Sequence, residues 1–113
     1  MDRDVFVREL ESDYIFDEKY ISSVTKASLD ALENEPHISL TIVMEELAEV
    51  QQALSKYIRG KGDKINMIEE LADLSLVINY IYSICDISKD EVEKATMIKA
   101  MRLAKNLEEG NIR

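Results

Sequence analysis

Glycine and proline are scarce in this chain, with three Gly and one Pro among 113 residues. Both residues interrupt helices, so their scarcity predicts long helices joined by few, short loops. Cysteine occurs once, at Cys85, which excludes an intramolecular disulfide and fits a reducing cytoplasm. Histidine also occurs once, at His37, which excludes a His-rich zinc site. No apolar run approaches the ~20 residues of a membrane span, and Met1-Asp2-Arg3-Asp4 lacks a signal-peptide pattern. Basic residues are the minority: 14 Lys and Arg stand against 23 Asp and Glu, a net charge of −9. A field of that sign repels phosphate backbones, so stable nucleic-acid binding is not expected. A nucleotide can still approach where a divalent cation neutralises an acidic cluster.

What is present is enough for one domain spanning residues 1–113 with a single core. The apolar fraction is 46%, that of a globular chain. Residues 4 to about 34 read as helix, broken near 13–17. Val5, Phe6, Leu10, Tyr14 and Ile15 form a first apolar patch; Ile21, Val24, Leu29 and Leu32 form a second. Pro36 marks a boundary. Over 37–59, Leu40, Val43, Leu47, Val50, Leu54 and Tyr57 recur in steps of three and four, which predicts a helical seam packed on other helices. Gly60 to Asp63 read as a short turn with Gly60 as C-cap, so the next helix returns antiparallel. That helix covers 64 to about 85, with Met67, Leu71, Leu74, Ile78, Ile81 and Cys85 toward the core. Ser88-Lys89-Asp90-Glu91 spells a capping box for a helix running to about Glu109, ended by Gly110. The expected fold is all-α: an antiparallel bundle of four to five helices. Its broad apolar faces exceed what 113 residues bury alone, so the core is expected to be completed by oligomerisation.

Carboxylates interrupt that pattern. At ~100° per residue, Glu46 and Glu49 share a stripe with Ile42 and Ala53 that borders the seam. Glu70 falls between Leu74 and Val77 on the apolar face, with Asp73 beside it. Glu45 and Glu69 point further toward solvent. Glu46–Glu49 and Glu70–Asp73 are both i,i+3 pairs, so each helix aims two carboxylates the same way. A tight hairpin brings the pairs face to face. Four crowded carboxylates either take up protons or hold a cation. Oxygen-only ligation suits Mg²⁺, with Mn²⁺ as the alternative. Di-iron bundles need Glu-x-x-His on two helices, and that motif does not occur here. No G-x-x-x-x-G-K-[ST] sequence occurs either, so this is not a P-loop enzyme.

Glu45-Glu46-Leu47-Ala48-Glu49, followed by Glu70-Leu71-Ala72-Asp73, resembles the E-E-x-x-E…E-x-x-D signature of the MazG-like, all-α nucleoside triphosphate pyrophosphohydrolases. The likeness covers roughly residues 37–105. It implies Mg²⁺-dependent cleavage of a (d)NTP to (d)NMP and pyrophosphate, a house-cleaning role in the nucleotide pool, and a homodimer or homotetramer. It also implies that Glu46, Glu49, Glu70 and Asp73 ligate the metal, with Glu45 or Glu49 activating the attacking water. A Lys-x-x-Arg motif follows the second acidic pair in many members; Lys99 and Arg102 match it and would hold substrate phosphates. The family often continues with Asn directly after that Arg, where this chain has Leu103, and Asn106 lies one turn on. Phosphoribosyl-ATP pyrophosphatases carry a His after the second pair, where this chain has Asn79 and Tyr80.

Lys56, Arg59, Lys61 and Lys64 surround the hairpin turn, as charges at such turns commonly do. Phe16, Tyr20, Tyr57, Asn66 and Tyr80 are the candidates for base recognition. Two other functional readings lack turnover: a non-catalytic helical oligomer acting as adaptor, and a metal- or nucleotide-binding module.

Overall fold

Local signals account for most of the secondary structure. A computed structural model describes residues 2–13 and 15–110, with the side chains at 32 and 33 left aside. Six helices follow one another: α1 (Arg3–Glu11), α2 (Glu18–Glu33), α3 (Pro36–Ile58), α4 (Lys64–Val77), α5 (Asn79–Ile84) and α6 (Lys89–Glu108). No strand occurs among the described residues. The chain is all-α, as its composition implies. Tyr14 of the first apolar patch lies outside the described residues, as does the side chain of Leu32 in the second.

Capping follows the sequence closely. Pro36 opens α3 at a position where its missing N–H costs nothing. Gly60, at φ 73°, sits one residue past the C-cap Arg59. There the Lys61 N–H donates to the Lys56 carbonyl at 2.8 Å, and the Gly60 N–H donates to that of Tyr57 at 3.0 Å, a Schellman closure. Asp63 caps α4, accepting from the Asn66 N–H at 2.7 Å. The same carboxylate takes the Arg3 guanidinium at 2.9 Å, which ties α1 to the hairpin tip. The Asn66 amide first, and Arg3 second, hold the Asp63 carboxyl below its ordinary range. The capping box of α6 is complete: Glu91 N–H donates to Ser88 Oγ at 3.1 Å, and Ser88 N–H donates to Glu91 Oε1 at 3.0 Å. Ser88→Ala is expected to cost about 1 kcal/mol, read by urea unfolding.

The hairpin of α3 and α4 is the centre of the molecule. Gly62 is what lets its turn stay tight. A Cβ there would meet Tyr57 N at 3.0 Å and Tyr57 Cα at 3.2 Å, backbone atoms that cannot swing aside. Gly62→Ala is therefore expected to destabilise the chain by about 1–3 kcal/mol, the cost of overpacking.

Three expectations need correction. The 64–85 helix is interrupted at Ile78. There the Asn79 side chain donates back to the Ser75 and Leu76 carbonyls at 3.3 and 3.4 Å, and Ser75 Oγ donates to the Leu71 carbonyl. Such side-chain bonds compete with the ladder and bend helices. Counting α4 and α5 as one interrupted rod gives five helices.

Second, the seam of α3 is not packed along its length. Val43 is buried, but Leu47, Leu54 and Tyr57 are 45%, 49% and 66% exposed. The covered face is instead Ser39, Val43, Glu46, Val50 and Ala53, in the same steps of four and three but rotated. Ser39 and Ala53 are small, which permits close helix approach and leaves the bulkier side chains on the flank. Third, Leu71 and Cys85 are exposed although placed on the core face of the following helix, and Glu69 is half-buried although expected nearer solvent.

α6 leaves the body at a sharp elbow: its axis turns 106° from the line of α4 and α5. All its residues but Asn106 are exposed. No single described helix is long and apolar enough to cross a membrane.

Candidate metal centre

The rotation of α3 has a chemical result. It places Glu46 in the middle of the covered face, opposite the carboxylates of α4. One carboxylate oxygen from each of Glu46, Glu70 and Asp73 lies within 4.8 Å of the other two, and all three residues are half-buried. Burial raises the Glu46 carboxyl above its ordinary value of 4.5, and the charges of Asp73, Glu49 and Glu45 add to that. Burial likewise raises Glu70, followed by the charges of Glu49, Asp73, Glu46 and Glu69. Both shifts have the direction expected where carboxylates lose water and gain like-charged neighbours.

The sequence-derived residues separate into those the fold gathers and those it leaves apart. Glu46, Glu70 and Asp73 converge. Glu49 is exposed and lies outside the three-oxygen group, yet its charge is the largest electrostatic contribution raising Glu70. It therefore stands at the rim. Glu45 is exposed and lines a shallow pocket of about 250 Å³ with His37 and Thr41. Lys99 and Arg102 are exposed on α6, with no hydrogen bond or ion pair among the described residues. α6 packs closely on neither α3 nor α4, and neither Lys99 nor Arg102 is among the charges that act on Glu46 and Glu70. The basic pair and the acidic trio of one chain do not meet.

The candidates for base recognition are scattered. Phe16 lies in a groove with Phe6 and Leu10, and Tyr57 lies in another with Leu54 and Met67. A cavity of about 560 Å³ lies between α2 and α5, where Asn79, Tyr82 and Ser83 face Ile21 and Thr25. The spacing of Asn79, Tyr82 and Ser83 along one helix face was the available signal for it.

The donor set suits a hard divalent cation. Three carboxylates, with no imidazole or thiolate among them, favour Mg²⁺ or Mn²⁺ over zinc or copper. The three oxygens stand close enough together to share one such cation.

Comparisons with protein-family models, with curated proteins and with solved structures find no match for this chain. The likeness to MazG-like enzymes is carried by the two acidic spacings on a helical hairpin.

Proposed function

We propose that this protein is a Mg²⁺-dependent nucleoside triphosphate pyrophosphohydrolase that clears (d)NTPs from the cytoplasmic nucleotide pool. The observation that carries the reading is the convergence of Glu46, Glu70 and Asp73 from two helices onto one half-buried point. Like charges gathered in this way are tolerated best around a cation. Glu46, Glu70 and Asp73 would hold Mg²⁺, with Glu49 completing the set from the rim. When bound, the ion supplies charge neutralisation for phosphate oxygens and acidifies water.

The chain's own groups do the rest. A carboxylate takes the proton of the attacking water: Glu45, or Glu49 when it is not engaged by the ion. Charge on the departing pyrophosphate calls for cations, and Lys99 and Arg102 supply them best from a neighbouring copy in a homodimer or homotetramer, since their own acidic trio is out of reach. The net charge of −9 supports a nucleotide substrate delivered with its metal over a nucleic-acid one.

The deciding assay measures pyrophosphate release from a panel of canonical and modified (d)NTPs, with Mg²⁺ and with EDTA. Mg²⁺-dependent release of (d)NMP and pyrophosphate is the expected result. A thermal shift in Mg²⁺ without turnover would make the protein a binding module. Neither shift nor turnover would leave a non-catalytic helical oligomer.

A further inference from the structure

α6 and the α3–α4 hairpin each present an apolar surface that nothing among the described residues covers. At ~100° per residue, Met97, Ala100, Leu103, Ala104 and Leu107 fall on one side of α6. Met97, Leu103 and Leu107 are 62%, 49% and 57% exposed. The hairpin offers a groove of about 520 Å³ whose walls are Val50, Leu54, Tyr57, Met67 and Leu71.

The elbow between them is built shut. Each of its four residues serves a cap. Cys85 is the C-cap of α5, and Asp86 follows it at φ 54°. The Ile87 N–H donates to the Tyr82 carbonyl at 2.9 Å, and Ser88 opens the capping box of α6. No residue remains as a free hinge, so the caps hold α6 at its 106° turn, where it packs closely on no other described helix.

The surplus surface has the size of an interface. The chain exposes 9489 Å², against about 6,300 Å² for a folded monomer of this mass. Its radius of gyration is 17.7 Å, against about 13 Å for a compact chain of this length. The difference of about 3,000 Å² is more than the roughly 1,000–2,500 Å² that each partner buries in an obligate dimer. Charge is mixed on both surfaces: Asp63 and Lys64 both line the groove, and Lys89 and Glu93 both fall on the apolar side of α6.

We propose that α6 is an exchanged arm: its apolar side seats in the hairpin groove of a second copy, whose own α6 returns the contact. The exchange is reciprocal, so it closes as a two-fold dimer in which each chain gives one arm and one groove. It does not depend on the hydrolase reading, because its tests read mass and not turnover.

Light scattering on the full chain at micromolar concentration should give twice the 13.0 kDa chain mass, or an even multiple. Met97→Lys with Leu107→Lys spoils the arm, and Leu54→Lys with Leu71→Lys spoils the groove. Each pair should raise the dissociation constant at least ~100-fold, the loss expected at interface hot spots. All four side chains are exposed in the single chain, so circular dichroism should stay helical. Should a lysine pair lose helix, the alanine pairs at the same positions give the same comparison as a graded shift. Mixing the two variants in their alanine forms is the sharpest arm, because the mixed pair keeps one intact arm in one intact groove and sets the truncated arm against the truncated groove without charge repulsion, so dimer mass should return in part. A monomeric parent chain, a groove or arm variant that stays fully dimeric, or a mixture that stays monomeric overturns the exchange.

Discussion

Asp73→Asn is expected to lower Mg²⁺-dependent pyrophosphate release from (d)NTPs at least ~100-fold, with helical content unchanged. Asp73 is half-buried between Glu46 and Glu70, so its loss removes one of three donors gathered at a single point. Asparagine keeps the shape and one acceptor oxygen but removes the charge, so the fold has little to lose. Glu70→Gln should behave the same way. The comparison that matters is Glu69→Gln, one residue away and outside the convergent group. It should retain most of the rate. Near-full activity in Asp73→Asn or Glu70→Gln would remove the ligand assignment, whatever the substrate.

The second large effect is on stability. Glu46 and Glu70 have folded-state pKa values above the ordinary 4.5. The folded chain therefore holds their protons more tightly than the unfolded chain does. Their contribution is fully present below the ordinary value and is lost as pH rises through the raised values. In EDTA, then, these groups make the protein less stable at pH 7 than near pH 5. Glu70→Gln should regain about 0.5–1 kcal/mol at pH 7 by removing the repulsions with Glu49, Asp73 and Glu46. Mg²⁺ reverses the sign, because it binds the ionised carboxylates. At one hundred times its dissociation constant it should add about 2.7 kcal/mol. That gain should shrink toward pH 5, as protons compete for the same oxygens, and vanish in Glu70→Gln. Thermal unfolding in EDTA and in Mg²⁺ across pH 5–8 reads all of this. A stabilisation by Mg²⁺ that is equal in parent and variant would mean that the ion acts elsewhere on an acidic surface.

The elbow offers a smaller check on backbone strain. Asp86 holds a left-handed conformation, at φ 54°, that costs a side-chain-bearing residue energy. Asp86→Gly is expected to stabilise the chain by about 0.5–1 kcal/mol in urea unfolding. It keeps the Ile87-to-Tyr82 bond that sets the turn.

Much of the helix layout follows from short-range chemistry. The break between α1 and α2, Pro36 at the head of α3, Gly60 after its end and the Ser88–Glu91 box each involve residues within one turn of one another. The i,i+3 spacing of the carboxylates is equally local: it pairs Glu46 with Glu49 and Glu70 with Asp73, each within its own helix, and the sequence offered all four together. Glu49 shares the spacing of Glu46 but not its burial, because burial depends on which side of α3 meets its neighbours.

That choice was made by tertiary packing. Hydrophobic periodicity favoured a seam through Leu47, Leu54 and Tyr57. Close approach of two helices instead favours small side chains, and Ser39 and Ala53 turned the contact toward Glu46. The interruption at Ile78 likewise came from Asn79 reaching back to two carbonyls, a competition that apolar spacing does not register. The caps of α6 could be read residue by residue, but the direction they impose could not. A capping box states where a helix starts, and only the two caps in series, with Asp86 between them, decide that its axis turns 106° from the line of α4 and α5.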